Sequence, residues 1–265
     1  MKLLKFSFAA FLAMVLSSCS IFTLGQESTS QGDFNILLEA NVPATQAIAN
    51  ADMDATLKIL SNRIKGLGIR NAVLSRAGER QISVEFVGLR GFSEPGQAQQ
   101  LTSLVSLTAL IEFVDMSGIS PSEALTLVDQ TIQTDYLNSD AGGENESADL
   151  TQRIWHTALT GAKIKDASVS TNSLGQYDVA IELTTEGGAQ FAEYTGSHIG
   201  DVLAIVLDKK VLSVPVINSK IEGGKAVIAG NFTEDSANQL AVQLRYGALP
   251  IPLQVVEAVV PTPSP

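Results

Sequence analysis

Cysteine occurs once in these 265 residues, at Cys19, so no disulfide can close within the chain. Histidine occurs twice, at His156 and His198, in separate segments with no cysteine or carboxylate at ligand spacing beside either. That argues against a zinc centre and against any other resident metal or cofactor. Basic residues are scarce: 17 Lys and Arg against 28 Asp and Glu give a net charge of -11. A negative field repels phosphates, which excludes nucleic acid as a partner and disfavours anionic lipid headgroups. After Leu16 no apolar run approaches the ~20 residues that a bilayer-spanning helix needs. Phosphate-cradling glycine motifs are missing too. Gly187-Gly188 and Gly223-Gly224 fit neither G-x-x-x-x-G-K-[ST] nor a strand-anchored G-x-G-x-x-G, and they read as turn punctuation. Apolar residues, by contrast, are plentiful: at 45% they suffice for real cores rather than global disorder.

The N-terminus has a pattern of its own. Lys2 and Lys5 precede an apolar run over 6–16, the length of a signal-peptide core (~7–15 residues) and too short to span. It ends in Leu16-Ser17-Ser18-Cys19, which resembles the lipobox of bacterial lipoproteins: an aliphatic residue, two small ones, then cysteine. The resemblance implies export, cleavage of residues 1–18, and lipid attachment at the Cys19 thiol, whose thiolate is the nucleophile. Loss of residues 1–18 from 265 leaves 247, and loss of Lys2 and Lys5 takes the charge from -11 to -13. Residues 19–32 form the lipidation site and a small, polar tether of about 20 Å as a coil. The expected location is the extracytoplasmic face of a membrane, held there by lipid. That membrane is the cell membrane or, in a diderm, the outer membrane.

From Asp33 onward the periodicity predicts a compact α+β chain. Residues 34–39 are apolar-rich like a strand, and Met53, Leu57, Leu60, Ile64 and Leu67 recur on one helical face. Two strands over 71–76 and 81–87 flank the turn Ala77-Gly78-Glu79-Arg80. Pro95 opens a second helix with Leu101, Leu104 and Val105 inward, and 109–114 reads as a strand. The order βαββαβ is that of a ferredoxin-like unit. Ser120-Pro121-Ser122-Glu123 then marks a helix start, with Ala124, Leu125, Val128 and Ile132 as its buried stripe. Residues 138–147 are loop by composition. A second α+β block follows. Its strands fall at 167–171, 176–183, 202–207, 211–217 and 225–229, its helices over 185–199 and from Thr233, and its last strand at 253–257. Residues 259–265 are a proline-rich tail.

Short blocks along this pattern, in order, resemble the SecD family, a membrane subunit of the bacterial Sec translocase accessory complex. They are Leu60-Ser61-Asn62-Arg63-Ile64-Lys65-Gly66-Leu67-Gly68-Ile69, residues 81–88, and Thr108-Ala109-Leu110-Ile111-Glu112-Phe113. Further along come Leu203-Ala204-Ile205-Val206-Leu207-Asp208, Ser213-Val214-Pro215-Val216-Ile217, Gly223-Gly224-Lys225-Ala226, Gly230-Asn231-Phe232-Thr233 and Leu244-Arg245-Tyr246-Gly247-Ala248-Leu249-Pro250. The resemblance implies the family's first extracytoplasmic (P1) region: a ferredoxin-like base over 33–115 with a returning strand at 252–258, and an α+β head over 116–247. Departures are visible. The family's glycine-rich opening is reduced to Gln31-Gly32-Asp33, Val87 replaces a proline, and Lys209 stands at a turn glycine. The family's proton-carrying membrane domain has no counterpart among these residues, so the lipid on Cys19 is expected to stand where the family has its first transmembrane helix.

No enzyme signature survives inspection, and the expectation is a protein that is not an enzyme. In Gly196-Ser197-His198-Ile199-Gly200 the serine is second, not third as a nucleophile elbow requires. Carboxylates such as Asp129 and Asp135 read as solvated. The expected function is a non-catalytic, lipid-anchored module that binds unfolded or translocating polypeptide in export. Its expected partners include a Sec membrane subunit, SecF-like or SecD-like, or SecYEG. The rival reading keeps the fold and makes the protein an envelope scaffold that docks to other membrane proteins. Gly118, Gly230, Gly247 and Pro250 are the hinge candidates between base and head.

Overall fold

The computed structural model describes residues 34–87, 101–103, 105–136 and 149–259. Cys19, the tether, Pro95, Leu104, the 138–147 loop and the tail from residue 260 lie outside the described residues. None of the described helices is long and apolar enough to cross a membrane.

Strand β1 (Phe34–Ala40) alternates buried and half-buried residues along its whole length, as a strand with one covered face must. Helix α1 (Asn50–Gly66) buries Met53, Leu60 and Ile64 from the apolar stripe, and its N-cap Ala49 makes no side-chain cap bond. Asp52 lies instead in the first turn, where a negative charge favours the helix dipole. Strands β2 (Ala72–Arg76) and β3 (Gln81–Phe86) pair antiparallel, and β3 pairs with β1 from Phe34↔Phe86 to Glu39↔Gln81. Helix α2, described at 101–103 and 105–106, contributes Leu101 and Val105 to the same core.

The fourth strand of this sheet is β12 (Leu253–Val259), giving the antiparallel order β12-β1-β3-β2 of a ferredoxin-like unit. The chain departs after α2, described to residue 106, and returns at Leu253 to complete the βαββαβ unit. Strand β4 (Ile111–Asp115), expected to close the first sheet, lies in the second instead. The physical reason is burial. Four successive residues of β4 are buried, so the strand needs apolar cover on both faces. Sheet one, whose residues alternate with half-exposed ones on β1 and β3, covers only one face.

The second sheet has the order β10-β9-β4-β6-β5, from β5 (Gln133–Thr134), β6 (Ile154–Thr160), β9 (Leu203–Leu207) and β10 (Lys210–Ser213) around β4. Ile111, Phe113, Leu203 and Ile205 face one core, while Val114, Ala204 and Val206 face another. This two-sided burial explains why Leu203-Ala204-Ile205-Val206-Leu207 is a continuous apolar run rather than an alternating one. The short α3 (Pro121–Leu125) begins at the expected start, where Ser120 and Glu123 form a capping box. It ends after five residues, and the turns that follow change the phase of the stripe. Leu125 is exposed, and Leu127 is buried beside Ala124 and Ile132.

The third sheet, β11-β8-β7, consists of β7 (Ile164–Thr171), β8 (Tyr177–Leu183) and β11 (Lys225–Phe232). A short 3-10 turn, Gly161–Lys163, leads into β7. Helices α4 (Thr185–Ser197) and α5 (Glu234–Tyr246) pack over this block, each with a threonine N-cap, Thr184 and Thr233. Gly187 and Gly188 are not turn punctuation. They lie in the first turn of α4, where a Cβ on Gly188 would sit 3.0 Å from the Gly224 Cα, and they let helix and strand backbones meet.

Candidate functional site

An apolar cleft of ≈260 Å³ opens between the second sheet and β11. Phe113, Phe191 of α4, Ile205, Pro215, Ile217 and Ile228 line it. Phe113 and Phe191 meet at a ring separation of 5.5 Å, tilted by 59°. The volume falls below the ~300–1,000 Å³ of small-molecule pockets. It suits side chains of a segment lying across the cleft better than a cofactor. Beside it β11 is an edge strand of its sheet, with Val227 55% exposed at the rim. At the opposite edge, Arg245 of α5 covers β7 by donating to the Ala167 carbonyl and to Asp166 Oδ1. A chain pairing its backbone with β11 would lie beside the cleft, which β7 does not line.

A buried ion pair fixes the sheet beneath the cleft. Glu112 of β4 has no exposed surface, and Lys209 Nζ lies 2.9 Å from Oε2 and 3.2 Å from Oε1. Thr157 Oγ1 donates to Glu112 Oε1 at 2.9 Å, and Thr134 Oγ1 donates to the same oxygen. Lys209 also reaches Thr134 and the Tyr136 carbonyl, so the pair is fully hydrogen-bonded. The turn that presents it joins β9 to β10 with Asp208 at φ 48° and Lys209 at φ 68°. Two consecutive left-handed residues make a type I′ hairpin. Lys209 thus adopts the glycine-like conformation rather than shifting the turn.

The histidines sit apart from the cleft. His156 Nδ1 lies 2.6 Å from Asp135 Oδ2 at the surface. Burial pushes the Asp135 carboxyl up, but hydrogen bonds from His156 and Thr157 outweigh this and hold it below 3.8. Asp129 is likewise paired, with Lys210 at 2.8 Å. His198 stacks on Tyr194 at 4.2 Å, with Nδ1 2.8 Å from the Tyr194 carbonyl. Ser197 Oγ, 3.0 Å from the Glu193 and Tyr194 carbonyls, is bound into the last turn of α4. Among the described residues no group of three His, Cys, Asp or Glu is placed to hold a metal.

The hinge candidates fall at different kinds of position. Gly118 lies at φ 87° in the turn after β4. Gly230 lies where β11 loses register between Ile228 and Phe232, under the Phe232 ring. Gly247 ends α5 at φ 85°, and Pro250 is exposed between the buried Leu249 and Ile251. They are not brought together, and Cys19 lies outside the described residues.

Two family models match: the N-terminal part of the P1 domain of protein translocase subunit SecDF over residues 53–118, and the SecDF P1 head subdomain over 135–251. The protein translocase subunit SecD of Magnetococcus marinus is 34% identical over 77% of this chain and 38% of its own length. That of Sebaldella termitidis is 33% identical over 86% of this chain and 47% of its own. A solved structure described as a membrane component SecDF that enhances protein export matches 84% of this chain and 98% of its own. Its TM-score is 0.62 at 29% identity. The chain belongs to the SecD/SecDF P1 family.

It spans less than half the length of those two curated relatives. The P1 fold gives the family-like blocks a structural meaning. Glu112 of the 108–113 block and Lys209, next to the 203–208 block, form the buried pair. Arg63 of the 60–69 block donates to the Gly247 carbonyl of the 244–250 block at 2.6 Å. The cleft was not legible as a site beforehand, because its lining comes from β4, α4, β9, the 215–221 segment and β11. The run Pro215-Val216-Ile217, apolar yet outside any regular strand, was the available signal.

Proposed function

We propose that this P1 chain is a non-catalytic, lipid-anchored extracytoplasmic module that binds unfolded or translocating polypeptide in protein export. The observation that carries the reading is the apolar cleft beside the open edge of β11. An extended chain can pair its backbone with such an edge and place alternate apolar side chains in the cleft. Membership of the SecD/SecDF family and the export role printed for the related SecDF structure support the same reading. Anchoring is assigned to lipid on Cys19, and the partners are a SecF-like or SecD-like subunit or SecYEG. Of the hinge candidates, Gly230 lies on β11, which lines the cleft, so movement there would open or close the cleft around its client, while Gly118 and the 247–250 segment would set how base and head sit.

A photoreactive residue placed at Val227, which is exposed on the cleft rim, tests the reading. It is expected to crosslink a purified, unfolded export precursor, while the same probe at Ser75 on the far sheet does not. Failure to capture any unfolded chain from Val227 would overturn the proposal.

A further inference from the structure

The ferredoxin-like layer and the lobe inserted into it have separate interiors. The first core draws on residues 34–105 and 249–253, and the other two draw on residues between 111 and 244. Apolar burial therefore stabilises each part but contributes little between them. The direct packing at the joint is narrow: Gly66 of α1 lies against Val242 and Tyr246 of α5.

The chain crosses the joint twice, outward over 107–110 and back over 247–252. Arg63 reaches both crossings. With no exposed surface, it donates from Nη1 to the Leu107 carbonyl at 2.8 Å, and from Nη2 to the Thr108 and Gly247 carbonyls at 2.9 and 2.6 Å. Its Nε finds no acceptor, and it makes no salt bridge, among the described residues. Burial pushes the guanidinium down to about 10, partly opposed by Asp208, so it stays charged at neutral pH. Asp208 holds the same crossing from the lobe side, accepting from the Ala109 amide at 3.0 Å and the Leu110 amide at 2.9 Å. Between these grips Ala109 sits at φ 57°, a conformation that persists only where its surroundings over-determine it. The Leu249 amide, donating to the Thr108 carbonyl at 2.9 Å, ties one crossing to the other.

A buried cation without an ion-pair partner is costly, and an aliphatic side chain would fill the same space more cheaply. What the arginine supplies, and an aliphatic chain cannot, is a planar fork that reaches three carbonyls on two crossings. We propose that Arg63 couples the two separately cored parts into one cooperative unit, and that its loss uncouples them without unfolding either. Asp208 is the counterpart that holds the outward crossing from the lobe.

Denaturant unfolding and amide hydrogen exchange on the full chain test this. The wild type is expected to unfold in one transition. Arg63→Met is expected to show two, with exchange at Leu110 and Leu249 faster by at least about tenfold and the strand-centre amides of β3 and β9 now protected to different extents. Two transitions in the wild type would overturn the proposal. So would a single, lower transition in Arg63→Met with faster exchange throughout, the mark of a merely destabilised core. If Arg63→Met does not fold, Asp208→Ala carries the test, read at Leu249, whose amide Asp208 does not touch. Faster exchange at Leu249 then supports the coupling, and unchanged exchange there overturns it.

Discussion

Lys209 holds a left-handed conformation that costs a residue with a side chain ~1–2 kcal/mol, and there its ammonium meets the buried Glu112 carboxylate. Lys209→Ala leaves the buried Glu112 carboxylate without a counter-charge and with only the Thr134 and Thr157 hydroxyls as donors, with an expected loss of ~3–5 kcal/mol in urea unfolding. Lys209→Gly also removes the ammonium but relieves the backbone, so its loss should be smaller by ~1 kcal/mol. Equal losses would mean that Lys209 is not strained. At the surface, the depressed Asp135 carboxyl has a defined pH signature. Its contribution to stability is complete above its usual value of 3.8 and is lost as pH falls through the lower folded value. Asp135→Asn should therefore flatten the acid limb of the stability profile below about pH 4 and leave the region above pH 6 with little slope change.

At the scale of elements, two glycines of α4 are expected to respond with opposite sign. A methyl at Gly188 would press on the Gly224 backbone, which cannot yield without moving β11, so Gly188→Ala should cost ~1–3 kcal/mol. A methyl at Gly196 would meet only the Lys220 side chain, at 3.3 Å. That chain is exposed and flexible, so Gly196→Ala should gain ~0.5–1 kcal/mol from helix propensity. Thermal or chemical unfolding of both variants settles the contrast. The hairpin of β7 and β8 shows the same local logic: Asn172 Oδ1 accepts from the Leu174 and Gln176 amides, and Gly175 takes φ 77°.

For the whole molecule, a layer closed by its first and last strands carries a two-sheet insertion, and the joint between them is polar. Membrane placement is a separate question from folding, because Cys19 precedes the first described strand by a polar segment. On the proposed lipid anchoring, Cys19→Ala should fold with an unchanged unfolding midpoint but move from the membrane to the soluble fraction after export. If it stayed with the membrane, a protein partner rather than lipid would be the principal anchor.

The local elements were legible because they depend on near neighbours. The stripe of α1, the helix start at Ser120–Glu123 and the Ala77–Arg80 turn each lie within a few residues of sequence. The SecD-like blocks were legible too, as a pattern whose structural meaning was hidden. What only the tertiary structure decided joins distant residues. Strand β4 reads the same locally in either sheet, and its place followed from the need to cover both faces. Glu112 and Lys209 are 97 residues apart, and Arg63 and Gly247 are 184 apart. No periodicity specifies which carbonyl a buried arginine meets across such distances. By itself the sequence determined most of the elements, the class and the family resemblance, because short-range sterics and hydrogen bonding act within them; β5 and β6 (Ile154–Thr160) emerged only in the structure, where pairing beside β4 fixes them. Chain topology decided the cleft, the buried pair and the joint, because each is assembled from segments that meet only once the fold has closed.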